Sequence, residues 1–147
     1  MALFDKLIGK KDEVKSYRSR EGVLVNCDDL LKQLYTTKNR VDTHFSYLNL
    51  ITQTYNRRDE PDARALFKKL ALEHIEKFHS IRAPLQKQGF GKLPHVPTFQ
   101  YLATVYTEDG EYEKAIEVCE KAIAFDSHDW TKSDYIGRIK RIKKKMQ

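Results

Sequence analysis

The chain has 147 residues, 33% of them charged and 40% hydrophobic, and a formal net charge of +6. That length allows one ordinary domain with a real core, and the balance excludes a disordered chain. No apolar run approaches the ~20 residues of a membrane-spanning helix, and residues 1–8 are too short and too charged for a secretory leader.

The positive charge is segregated. Residues 1–20 carry +3 and residues 130–147 carry +6, whereas the middle is acidic. Basic character therefore belongs to the two ends. Cys27 and Cys119 show no metal-site spacing, so reduced thiols and a cytoplasmic location are expected.

In chain order, Leu3, Phe4, Leu7 and Ile8 make a short amphipathic turn or two, and residues 12–22 are polar and read as loose. Together residues 1–25 are expected to be a basic arm or short amphipathic helix ahead of a helical domain over 26–147. The Gly22-Val23-Leu24-Val25 stretch has extended character, but four residues decide nothing. A first helix is predicted over 26–37, with Asn26 as N-cap, acids at Asp28 and Asp29, and Leu30, Leu31, Leu34 and Tyr35 as its buried stripe. A second is predicted over 41–57, with Val41, Phe45, Leu48, Ile51 and Tyr55 on one face. Tyr47 and Leu50 add a second apolar surface, as on a helix lying between neighbours.

Asp59-Glu60-Pro61-Asp62 reads as a helix start, with Asp59 as cap and Pro61 in the first turn. The helix that follows places Ala63, Leu66, Phe67, Leu70, Ala71, Ile75 and Phe78 on one side. Pro84, Gly89, Gly91, Pro94 and Pro97 then predict a loop over 80–97 that no long helix crosses. Its apolar residues Leu85, Phe90, Leu93 and Val96 suggest a connection packed down on the body.

Phe99, Leu102, Ala103 and Tyr106 follow helical spacing, Glu108-Asp109-Gly110 interrupts it, and Tyr112, Ala115, Ile116, Cys119, Ala122 and Ile123 resume it. Gly110 suits the left-handed end of the first helix. Two short helices and a tight turn make an antiparallel hairpin, and Ala103, Ala115 and Ala122 let its backbones approach. A last helix is predicted over 130–146, capped by Asp129 or Ser127. Tyr135, Ile136, Ile139, Ile142 and Met146 line one of its faces, and Gly137 suggests close packing.

From Val96 to Asp129 this pattern resembles one tetratricopeptide repeat. Phe99, Leu102-Ala103, Tyr106, Gly110-Glu111-Tyr112, Ala115, Ala122 and Phe125-Asp126 stand at the family's positions, while Cys119 replaces an aromatic and Ser127 the terminal proline. A degenerate copy runs over about 45–78. There Tyr55 takes the place of Tyr106, Thr52 replaces the small residue, and the connection is one residue shorter. The resemblance implies an all-α fold of helical hairpins stacked in a short right-handed array and closed by a solvating C-terminal helix. A single hairpin of this kind cannot bury both its faces alone.

No catalytic constellation emerges. His74 and His79 lie on different helix sides, His44, His95 and His128 stand apart from them, and Gly89-Phe90-Gly91-Lys92 is too short for a phosphate loop. No enzyme activity, cofactor or metal is expected. The resemblance instead implies a non-catalytic protein–protein interaction module, with a peptide or protein partner on a concave face lined by Asn49, Gln53, Asn56, Gln100, Thr104 and Thr107. Amides and hydroxyls offer both donors and acceptors to an extended backbone. The family's clamp for a C-terminal carboxylate uses Lys and Asn where Gln100 and Thr104 stand, so that clamp is missing from this hairpin. Self-association would lengthen so short an array.

The rival reading is nucleic-acid association through phosphate contacts by Arg138, Lys140, Arg141, Lys143, Lys144 and Lys145. Cations in a last turn also complement the helix dipole, and a polar face carries lysines for solubility.

Overall fold

The computed structural model describes residues 14–147, and the amphipathic stretch read at residues 3–8 lies outside them. Six helices and one small sheet follow in order: β1 (Ser16–Arg18), β2 (Leu24–Asn26), α1 (Asp28–Thr36), α2 (Arg40–Asn56), α3 (Pro61–Gln88), α4 (Pro97–Glu108), α5 (Tyr112–Ala124) and α6 (Asp134–Lys145). The described chain is thus mostly helical. The described residues divide into two compact units, the first ending at Glu73 and the second His74–Gln147, and the boundary falls inside α3.

In the first unit the stretch read as loose is a β-hairpin. β1 and β2 pair antiparallel, with Tyr17 opposite Val25. The signal was present but short: Val23 to Val25 favours strand, and Gly22 takes φ +81° in the turn. Tyr17 is buried and its hydroxyl donates to Gln53 Oε1 at 3.5 Å. Arg20 reaches the Asn56 carbonyl, and Arg57 reaches that of Ser19.

α1 starts two residues later than predicted. Asn26 still serves it, accepting from the Asp28 N–H at 2.9 Å, while Cys27 is the N-cap residue. Leu31 and Leu34 are buried, but Leu30 and Tyr35 are 36% and 47% exposed, which narrows the expected stripe. In α2, Asn39 caps by accepting from the Val41 and Asp42 N–H groups.

The buried face of α2 is His44, Tyr47, Leu50, Ile51 and Thr54, and Phe45 is 51% exposed. This is the second apolar surface, of Tyr47 and Leu50, rather than the stripe of Val41 and Phe45, and two of its polar residues are hydrogen-bonded. Thr54 donates to the Leu50 carbonyl at 2.8 Å, and Tyr47 donates to Glu73 at 3.1 Å. Glu73, itself only 2% exposed, also accepts from Tyr35 at 2.9 Å. At the start of α3 the cap is Glu60 rather than Asp59. Glu60 accepts from the Asp62, Ala63 and Arg18 N–H groups, and Asp59 instead pairs with Arg57 at 2.6 Å.

In the second unit α3 continues through Pro84 to Gln88, so the predicted loop over 80–97 shrinks to residues 89–96. Proline lacks the N–H that would bond the Ser80 carbonyl and costs about 3 kcal/mol in a helix interior. Burial of Phe78, Ile81 and Leu85 on either side of it offsets that cost. Phe78 stacks edge-on against Phe99 and Phe125, with centroids 5.5 and 5.1 Å away. His74 Nδ1 shares a 2.8 Å hydrogen bond with the Thr98 hydroxyl, and Arg82 Nε donates to the Phe125 carbonyl at 2.9 Å.

α4 and α5 form the predicted antiparallel hairpin, with Gly110 at φ +76° between them. Phe99, Leu102, Ala103, Tyr106, Ala115, Cys119 and Ala122 are all buried. α6 packs against this hairpin through Tyr135 and Ile142. A Cβ at Gly137 would come within 2.2 Å of the Ser133 Cβ, so only glycine fits that approach. Two expectations fail in the connection. Phe90 is 99% exposed rather than packed down, and α6 begins at Asp134, not at residue 130.

A groove between α4 and α6

The late start of α6 follows from a side chain. Asp129 Oδ1 accepts from the Thr131 N–H at 2.9 Å and from its hydroxyl at 2.6 Å, which bends the chain before it can wind. The Asp134 carboxylate then takes over the helix start, accepting from the Asp129 and Tyr135 N–H groups. Neither Asp129 nor Ser127 caps the helix itself.

Asp129 has a second task. Its side chain is fully buried, and its Oδ2 lies 3.2 Å from both Nε and Nη2 of Arg138. Burial pushes the Asp129 pKa up, but the Thr131 bonds and the Arg138 guanidinium outweigh it and leave the carboxyl below its ordinary value. Arg138 is held in place by this pair, and its Nη1 reaches the Thr104 hydroxyl on α4 at 3.5 Å.

That contact marks a groove of about 220 Å³ lined by Thr104, Thr107 and Glu108 on α4 and by Arg138, Arg141, Ile142 and Lys145 on α6. Thr104 and Thr107 each donate back to a carbonyl of the preceding turn, at 2.9 and 2.7 Å. Their oxygens keep acceptor capacity toward the groove. The opposite wall is cationic, with Ile142 as its apolar floor.

Two sets of residues that the sequence kept apart therefore converge. Thr104 and Thr107 came from the expected peptide-binding face, and Arg138, Arg141 and Lys145 from the expected phosphate-binding helix. Gln100 is half-buried one turn before Thr104 and does not line the groove. Lys140, Lys143 and Lys144 are exposed and lie outside it. Arg141 donates to Ser133 Oγ at 2.9 Å, so two of the six C-terminal cations already have partners within the fold.

Asn49, Gln53 and Asn56 sit in the other unit, on α2. Gln53 Nε2 donates to Asn49 Oδ1 at 2.9 Å while its own oxygen receives Tyr17, so the β-hairpin occupies part of that face. Asn49 also lines a cleft of about 410 Å³ with Leu30, Gln33, Thr37, Asp42, Phe45, Ser46 and Leu50.

Both cysteines are buried free thiols, and burial pushes Cys119 up to about 11, far from a reactive thiolate. Sequence reasoning missed Asp129, Thr131 and Asp134 as the residues that position Arg138. The Asp-x-Thr spacing after α5 is the signal that marks such a turn. A comparison with protein-family models, with curated proteins and with solved structures finds no match to this chain.

Proposed function

We propose that the protein is a non-catalytic interaction module that holds a peptide or protein segment along the α4–α6 groove. The observation that carries this reading is the convergence of hydroxyl acceptors on α4 with the Arg138, Arg141 and Lys145 cations across one shallow, partly apolar cleft. Acceptors on one wall suit backbone N–H groups. Cations on the other suit acidic side chains, and prior fixation of Arg138 by Asp129 lowers the cost of ordering on binding. The tetratricopeptide-like spacing of Phe99 to Ala122 supports the same use, because such hairpins present one helix face to a partner.

The test compares proteins retained by the parent chain with those retained by a Thr104→Ala, Arg141→Glu, Lys145→Glu variant and by a Lys121→Glu control on α5. Partners lost from the groove variant but kept by the control support the reading. Identical retention on all three refutes it.

A further inference from the structure

Away from the groove, the 89–96 connection and the turn before α6 meet at a pair of rings. Trp130, the single tryptophan of the chain, lies against the His95 imidazole with centroids 5.2 Å apart and planes inclined by 31°. One side of the indole is thus backed, yet 74% of the residue is exposed. The backbone holds it outward at φ +63°, a conformation unfavourable for so bulky a side chain. The Asp129–Thr131 turn imposes that conformation. Phe90, five residues before His95, is displayed in the same way at φ +56° and 99% exposure.

Cations and acids near these rings differ in how free they are. The 89–96 connection carries one cation, Lys92, and no acid, Arg82 and Lys87 lying in α3. Lys92 and Lys132, close in sequence to His95 and Trp130, are both exposed. The acids of the facing turn are engaged: Asp126 and Asp134 with His128, and Asp129 with Arg138.

We propose that Trp130, backed by His95, is a stacking platform for a base of single-stranded nucleic acid, with Lys92 and Lys132 contacting the flanking phosphates. Every base offers a π-face to an aromatic ring, and a cationic rim tracks the backbone, so such a site tolerates sequence and weakens with salt. Duplex bases have their faces covered and do not fit it. An exposed tryptophan also suits a protein hot spot, but Lys92 on an acid-free connection and Lys132 beside the ring, with the acids of the turn already paired, favour a polyanion that carries rings. The site shares no residue with the groove and stands or falls independently of it.

Because the chain has one tryptophan, its fluorescence reports this site alone. Titration with a twelve-residue oligothymidylate at low salt is expected to quench it saturably, with little effect from polyglutamate or from a duplex of equal length. In anisotropy with a labelled oligonucleotide, Trp130→Ala is expected to weaken binding roughly 5- to 100-fold, with Trp130→Phe restoring part of it. Lys92→Gln with Lys132→Gln should flatten the salt slope by about two phosphates. Absence of quenching, equal quenching by polyglutamate, or undiminished affinity in Trp130→Ala with an unchanged far-UV spectrum would overturn the proposal. Quenching by a protein fragment and not by the oligonucleotide would reassign the platform to a protein partner.

Discussion

Two histidines respond to pH with opposite signs, and each sign follows from its surroundings. His44 is fully buried on α2, and burial pushes its pKa down to about 4. The unfolded chain binds that proton near pH 6.5 and the folded chain does not, so stability falls as pH drops from 6.5 toward 4. His128 lies between Asp134 and Asp126, and the hydrogen bond to Asp134 chiefly raises its pKa. Its contribution is fully present below about 6.5 and is lost as pH rises through the raised value. Imidazole NMR titration is expected to show His44 neutral down to pH 5 while His128 titrates above the ordinary histidine range. Reversal of that order would contradict the burial of His44. The C-terminal cations divide by the same reasoning. Arg138→Gln strands the buried Asp129 carboxylate and should cost about 3 kcal/mol in denaturant unfolding. Lys143→Gln and Lys144→Gln alter exposed side chains and should shift stability by less than about 0.5 kcal/mol each.

At the level of elements, what the sequence shows clearly is what local chemistry alone decides. The α4–α5 hairpin was legible because apolar period, small residues and Gly110 all agree. The buried face of α2 was legible only in part: Tyr47 and Leu50 read as apolar surface, but His44 and Thr54 did not, and the bond from the Thr54 hydroxyl to the Leu50 carbonyl is one that no hydropathy pattern records. α3 illustrates the same override. Pro84 marks a helix end by local rules, yet the apolar period continues as Phe78, Ile81 and Leu85, and that burial prevails. It follows that Pro84→Ala, which restores a donor to the Ser80 carbonyl, should stabilise the protein by about 1–3 kcal/mol. Thermal unfolding measures this directly. A lowered melting temperature would mean that Pro84 contributes packing that alanine cannot replace.

For the whole molecule, the candidate groove was half legible. Its residue types stood out in the sequence, but their convergence depends on where α6 starts, and that is set by Asp129 and Thr131 rather than by any helix propensity. The boundary between the units falls within α3, which supplies Ala63, Leu66, Phe67 and Leu70 to the core of the first unit and Phe78, Ile81 and Leu85 to that of the second. Unwinding either half exposes core residues and leaves the other half with a new, uncapped helix end. The two units are therefore expected to unfold in one transition. Trp130 lies in the second unit only, whereas far-UV circular dichroism follows helices of both. Urea curves from the two probes should superimpose, with one midpoint and one slope. A fluorescence midpoint displaced from the dichroism midpoint would show that the helix yields at the boundary near Glu73 and His74 before the rest of the fold does.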